Sequence, residues 1–380
     1  MTAQEDVVVA ASNQVDGGSQ PAGDVVKNAT DNSQVVSEQE ASERTEAEAK
    51  PESGEKQTVT KEQVAPIKES ITSQKLTDDQ AKKLYAIVQS VPEILKSLDN
   101  PEYDEIFGYR INVDTAEYVQ IPIRNEILLK FLIANEYDVA VTKKRIIETM
   151  NWRNKFQPLT AAYDEMYDVE LSQLGVITQF PPGNDNLQVV TWNLYGNLKT
   201  PKKLFEKFGG SDGDDSKPGS HFLRWRIGLM ERSLGLVDFT DPKNHKIGQV
   251  HDYTGASFFK MDSGMKSNTK EIITIFGDNY PELLSTKYFV GIPVFMSWVF
   301  SFLKNIGLIS KETLKKFQVI SGRDMTAYFS KDLLPADYGG SKKVSLFDIK
   351  VKDSKITEYG EVLLKKLGAK QLDSVNDTVE

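Results

Sequence analysis

The chain has 380 residues, a formal net charge of −9, 39% apolar and 27% charged residues, and no cysteine. Zero Cys excludes disulfides, thiolate nucleophiles and Cys-built zinc or iron–sulfur centres, and three histidines (His221, His245, His251) are too few for a multi-His metal cage. The length allows one large domain or two ordinary ones, and a chain without disulfides fits a reducing compartment such as cytosol.

Residues 1–60 carry 12 acidic and 4 basic residues and no Leu, Ile, Phe, Tyr or Trp. Such a segment cannot bury enough apolar surface to offset its chain entropy, so 1–76 is read as a disordered acidic tail. The apolar run Val7–Ala11 is too short, and its flank too acidic, for a signal peptide. The other 320 residues hold 43 acidic and 42 basic residues; a near-neutral body argues against a nucleic-acid binder.

Order is expected from Thr77, whose hydroxyl can cap a helix through Ala81–Leu95 with Leu84, Ile87, Val88, Val91 and Leu95 at helical spacing. Ile127, Leu128, Phe131 and Leu132 mark a second helical stripe; Val141, Ile146, Ile147, Met150 and Trp152 mark a third, which Pro158 closes. These helices define a domain over 77–158. The pattern then changes. β-type runs at Leu187–Leu194, Ile247–Ser257, Lys287–Ile292 and Lys316–Ile320 alternate with helical stretches at Phe222–Leu236, Asn268–Phe276 and Val294–Asn305. That alternation predicts an α/β fold with a largely parallel sheet covered on both faces, over 159–345. A C-terminal extension with a short helix follows over 346–380.

Between Lys287 and Lys304 runs the uncharged stretch YFVGIPVFMSWVFSFL. It is interrupted by Gly291 and Pro293 and is shorter than the ~20 residues of a spanning helix. A strand turning into an apolar helix fits better, with Phe295, Trp298, Val299 and Phe302 on it. A doubly covered core helix is the plain account; a lid over an apolar cavity, able to touch membrane when open, is the sharper one.

Enzyme motifs are sparse: there is no P-loop, G-x-G-x-x-G, G-x-S-x-G or H-E-x-x-H. Asp212, Asp214 and Asp215 lack EF-hand spacing and read as a solvated loop. The segment QVHDYTG is more informative. On a strand, His251 and Tyr253 share one face and Asp252 takes the other. Buried phenol and imidazole groups require partners; a satisfied core pair is one account, and ligand contact, with Tyr as a donor to ferric haem, is the other.

KFLIANEYDVAVTKKRIIETMNWRNKF resembles the N-terminal helical domain of the CRAL-TRIO (SEC-fourteen-like) lipid-binding family. NYPELLSTKYFVGIP with its apolar helix resembles that family's strand and gate helix, and LLPADYGG its closing motif; the likeness spans residues 79–345. TWNLYG, RWRIGLMERSLGLVDFT and QVHDYTG are similar to a fungal phosphatidylinositol-transfer branch that also binds haem b. The resemblance implies a hydrophobic cavity behind the gate helix Val294–Asn305 and a headgroup site at Glu282 and Lys316, where a carboxylate accepts from ring hydroxyls and an ammonium faces phosphate. A surface ion pair worth ~0–1 kcal/mol is the plainer account of those two residues. It also implies that Tyr253 is the axial ligand of ferric haem b, with His251 beside it and Tyr195, Arg226 and Lys287 in the same pocket. Typical members carry apolar residues at the two positions held here by His251 and Tyr253. Asn135 departs from the branch, which has tyrosine there. The expected function is phosphatidylinositol transfer with haem binding, in oxidant response and phosphoinositide homeostasis, without enzymatic turnover. The alternatives are a haem-sensing module without lipid transfer and a peroxidase-like haem enzyme. The expected setting is the cytoplasm, with peripheral contact to endoplasmic reticulum or microsomal membranes.

Overall fold

A computed structural model describes residues 60–198, 200–210, 218–256, 263–292, 315–352 and 354–377. The expected gate helix, with Phe295, Trp298, Val299 and Phe302, lies outside the described residues, as do Asp212, Asp214 and Asp215.

Order begins earlier than composition suggested. Helix α1 (Lys61–Ser70) starts where the Thr60 amide donates to Gln63 Oε1 at 3.0 Å. It buries Val64 and Ile67, with Ile71 just beyond. These apolar positions lie three and four apart, enough for one helical face, so the reading of 1–76 as wholly disordered is corrected for 61–71. The expected helix Ala81–Leu95 is two helices, α2 (Asp78–Gln89) and α3 (Val91–Lys96). Pro92 supplies no amide for the Val88 carbonyl, and its ring crowds that carbonyl. Thr77 caps α2 as expected, accepting from the Gln80 amide at 3.2 Å.

A short antiparallel pair, β1 (Glu105–Ile106) and β2 (Tyr109–Arg110), precedes α4 (Ile121–Ala134) and α5 (Val139–Phe156). Pro158 does not only end α5; it opens α6 (Pro158–Tyr163) at its first turn, after Gln157 in a left-handed conformation. That position tolerates proline because its amide would be unpaired anyway. After α7 (Val169–Ser172) the chain enters a five-stranded sheet ordered β3-β4-β5-β6-β7. The strands are Gly175–Gln179, Val189–Leu194, Ile247–Asp252, Leu284–Val290 and Phe317–Ile320. β3 runs antiparallel to β4 and the other pairings are parallel. β3 was not singled out from sequence, although Val176, Ile177 and Thr178 are good strand formers; the run is only five residues long. β5 stops at Asp252 rather than Ser257, and β6 starts three residues ahead of Lys287.

Helices α8 (Pro201–Phe208) and α9 (His221–Leu234) lie in the β4–β5 crossover, α10 (Ser263–Asn279) in the β5–β6 crossover, and α11 (Glu358–Asp377) follows β7. The last of these spans 20 residues and is no short helix. Leu363 packs with Tyr103 and Leu159, so the C-terminal extension returns to the helical part. The helical and sheet parts also share one apolar core, in which Leu84, Phe131 and Ile146 join Leu223, Ile227 and Ile247. At that seam Arg153 of α5, with no exposed surface, meets Glu105 of β1 and Glu231 of α9, each at 2.7 Å.

Candidate functional site

The sheet register sorts the site residues by face. Paired residues in neighbouring strands point the same way, and residues two apart share a face. One face therefore carries the rows Thr191–Gln249–Lys287–Phe317 and Asn193–His251–Phe289–Val319. The other carries Trp192–Val250–Tyr288 and Leu194–Asp252–Val290, which pack with Met325, Phe329, Leu334 and Tyr338 into an apolar layer. The first face is unusually polar for a covered sheet. Thr191, Asn193 and His251 are 0%, 1% and 7% exposed. Thr191 Oγ1, Asn193 Oδ1 and His251 Nε2 are buried and meet no hydrogen-bond partner among the described residues. Buried polar atoms ordinarily find partners, so three on one face mark where a ligand's or a water's polar atoms belong.

The structure brings the expected aromatic residues together. Tyr195, just past β4, lies 5.4 Å from the His251 ring and 5.1 Å from Tyr253, centroid to centroid; His251 and Tyr253 are 6.5 Å apart. Tyr253 is half-buried beside Phe289, Ile292 and Phe317. Burial, with the charges of Lys287 and Arg226, pushes the His251 imidazole well below its ordinary range and keeps it neutral. Arg226 on α9 stacks its guanidinium 4.8 Å from the Phe276 ring centroid, and the Lys287 ammonium sits 5.5 Å from that of Phe289. All five residues expected to line this pocket thus converge on one sheet face. Asn135 instead caps the end of α4, its side-chain amide donating to the Phe131 carbonyl at 2.7 Å.

The end of β5 that carries these rings is fixed from behind. Asp252 Oδ2 accepts from Arg323 Nη2 at 2.8 Å and from the Tyr338 hydroxyl at 2.7 Å, while Oδ1 accepts from the Thr254 amide at 2.8 Å. Gly196 and Gly291 flank the turn: a Cβ on Gly196 would come 2.0 Å from the Thr254 carbonyl oxygen, and one on Gly291 2.3 Å from Thr254 Oγ1. Gly196→Ala is expected to force the 253–254 turn away and move Tyr253. The near-ultraviolet circular dichroism of the aromatic cluster should then change while the far-ultraviolet spectrum stays the same; an unaltered near-ultraviolet spectrum would show that the turn yields without moving the rings.

Glu282 and Lys316 lie at the opposite end of the strands, just ahead of β6 and β7. The ammonium of Lys316 is 3.3 Å from Glu282 Oε2. Lys246, just ahead of β5, is 3.7 Å from the same oxygen. Glu282 has φ +52°, an uncommon left-handed conformation for a residue with a side chain. The buried Lys130 of α4 steadies that backbone: its ammonium donates to the carbonyls of His245 (3.0 Å) and Glu282 (3.3 Å). Burial, then the charge of Lys246, brings Lys130 down to about 7, and burial with Lys130 beside it takes His245 to about 3. Lys130, His245 and Lys246 were not singled out from sequence. Two signals were there: a lone lysine inside the apolar run EILLKFLI, and a lysine placed just before β5 as Lys316 is before β7. His251 lies five positions along the chain from Lys246, roughly 16 Å of strand, so the His251–Tyr253 rings and the Glu282 group sit at opposite ends of the strands, with Lys287 between them beside Phe317.

Comparison with known proteins agrees with this architecture. The CRAL/TRIO domain matches residues 179–340. A phosphatidylinositol transfer protein SFH5 from Candida albicans is 57% identical over 318 residues, covering 83% of this chain and 99% of that protein. The protein of the same name from Scheffersomyces stipitis is 58% identical over 320 residues, covering 83% of this chain and 97% of that protein. The crystal structure of Sfh5 superimposes with a TM-score of 0.68 at 35% identity, covering 77% of this chain and 98% of that one.

Proposed function

Since this chain belongs to the CRAL/TRIO domain family, alongside the fungal proteins named phosphatidylinositol transfer protein SFH5, we propose that it binds phosphatidylinositol and carries it between membranes. The observation that carries this reading is the Glu282–Lys316 pair at the mouth of the parallel strands, 3.3 Å apart and partly buried. Its carboxylate suits ring hydroxyls and its ammonium suits a phosphodiester. No covalent step is needed: a carrier has only to bind, shield the acyl chains and release. Among the described residues no helix is long and apolar enough to cross a membrane; the encounter in this proposal is peripheral, from the cytoplasm, with endoplasmic reticulum or microsomal membranes. The test is transfer of labelled phosphatidylinositol between vesicles. Glu282→Ala with Lys316→Ala is expected to cut transfer at least tenfold; equal transfer by that variant would remove the headgroup assignment.

A second reading rests on a separate observation. The orphaned His251 Nε2, with the phenols of Tyr195 and Tyr253 around it and the cations Arg226 and Lys287 nearby, fits ferric haem b. Tyr253 would supply the axial oxygen and the two cations would face the propionates. A phenolate on ferric iron holds it in the oxidised state, which suits a reservoir or an oxidant-responsive factor. His251, kept neutral, would orient beside the group rather than carry charge to it.

A further inference from the structure

One strip of the surface carries cations without counterions. Between Ser341 and Lys355 the chain holds Lys342, Lys343, Lys350, Lys352 and Lys355 against two acids, Asp348 and Asp353. Among the described residues none of these five lysines forms an ion pair. By contrast, the exposed Lys144, Lys202, Lys207 and Lys243 each lie within 3.8 Å of a carboxylate. Asp348 is held by its own turn, where it accepts from the Ser345 hydroxyl at 2.7 Å. Within the strip Val344 and Phe347 are 43% and 48% exposed. Their neighbours Leu346 and Ile349 pack with Trp192 and Tyr338 behind the sheet. Apolar side chains standing among unpaired cations fit a partner that is acidic and apolar by turns.

We propose that this strip is the seat of the chain's own acidic N-terminal segment, with Glu5 and Asp6 on the lysines and Val7–Val9 over Val344 and Phe347. Charge supports that occupant first. Residues 1–60 carry a net of −8, whereas the other 320 residues together carry −1, and a block of like charge of that kind is an interaction tail. The pattern agrees as well: two acids followed at once by three valines answer lysines that flank Val344 and Phe347. Reach is no obstacle, since residues 12–59 can extend over roughly 150 Å. The contact is intramolecular, so a high effective concentration lets a few screened charge pairs hold it. An anionic bilayer would also satisfy the lysines. The strip lies behind the sheet, however, and a membrane seated there would face away from Thr191, Asn193 and His251, whose orphaned atoms mark the ligand face.

The test uses the full chain, whose lack of cysteine lets Ser12→Cys carry a single nitroxide label beside the valines. At about 0.15 M salt the label is expected to broaden the amide signals of Val344–Lys352 at least fivefold more than those around Lys144 and Lys202. The difference should vanish at about 1 M salt, where charges act over only ~3 Å. It should vanish also in Glu5→Gln with Asp6→Gln, which leaves the folded body untouched, and in Lys343→Gln with Lys350→Gln and Lys352→Gln. Broadening that is absent from the strip, or spread evenly over the surface, would overturn the proposal. So would broadening that survives either set of substitutions. Sedimentation with phosphatidylserine vesicles is the second measurement: binding that the lysine variant loses, with no broadening of the strip in the labelled parent, would give the strip to a membrane instead of the tail.

Discussion

Arg153→Met is expected to destabilise the protein by about 3–5 kcal/mol, the usual result of removing one partner from a fully buried ion pair. Arg153 donates to Glu105 through Nε (3.0 Å) and Nη2 (2.7 Å), and to Glu231 through Nη1 (2.7 Å). The hydroxyls of Tyr103 and Tyr280 donate to the same two carboxylates at 2.6 Å each. Without the guanidinium, two buried carboxylates remain, Glu105 with the Tyr103 hydroxyl and the Gly108 amide, and Glu231 with the Tyr280 hydroxyl. One must take up a proton to remain buried. Protonation is easier in acid, so the loss should be larger at pH 7.5 than at pH 5. Urea unfolding at the two pH values measures it. A loss under about 1 kcal/mol at pH 7.5 would mean that solvent enters the seam between the helical part and the sheet.

On the proposed haem reading, Tyr253→Phe is expected to remove the tyrosinate-to-iron signature from haem-loaded protein and to lower haem affinity at least tenfold. Phenylalanine keeps the ring that packs against Tyr195 at 5.1 Å and against Phe289 and Ile292. Only the oxygen is lost, so the thermal midpoint should move little. Absorption spectra of both proteins, loaded with ferric haem under the same conditions, provide the comparison. Identical Soret and charge-transfer bands would end the assignment of Tyr253 as axial donor. Transfer of phosphatidylinositol serves as the internal control, since Glu282 and Lys316 lie at the far end of the strands; a loss of both activities together would point to a misfolded variant.

Much of this protein was legible in its sequence because the signals were local. Thr77 with Gln80 announced a helix start, and the apolar periodicity of Ile127–Leu132 placed α4. The alternation of β-type and helical runs gave the parallel core of the sheet. Period-two spacing put His251 and Tyr253 on one face and Asp252 on the other, and the structure keeps Asp252 among the residues behind the sheet. Other features had weak local signals. β3 offers only a short run of strand formers, Val176–Thr178, and pairing along the edge of β4 makes it a strand. α1 belongs to a polar, charged stretch, and three apolar side chains suffice only because a core waits to receive them. Pro92 broke a helix that apolar spacing alone made continuous.

What the sequence determined by itself was the family, the strand–helix alternation and the residue types able to meet a lipid headgroup or an iron. What only the tertiary structure decided was which of those residues meet. Register across β4, β5 and β6 set Asn193, His251 and Phe289 side by side, and crossovers brought Arg226 over the same face. The entries to three parallel strands gathered Lys246, Glu282 and Lys316 from positions far apart along the chain. Local patterning fixes the direction in which a side chain points, whereas proximity between distant segments comes from sheet pairing and burial, which no short stretch of sequence encodes.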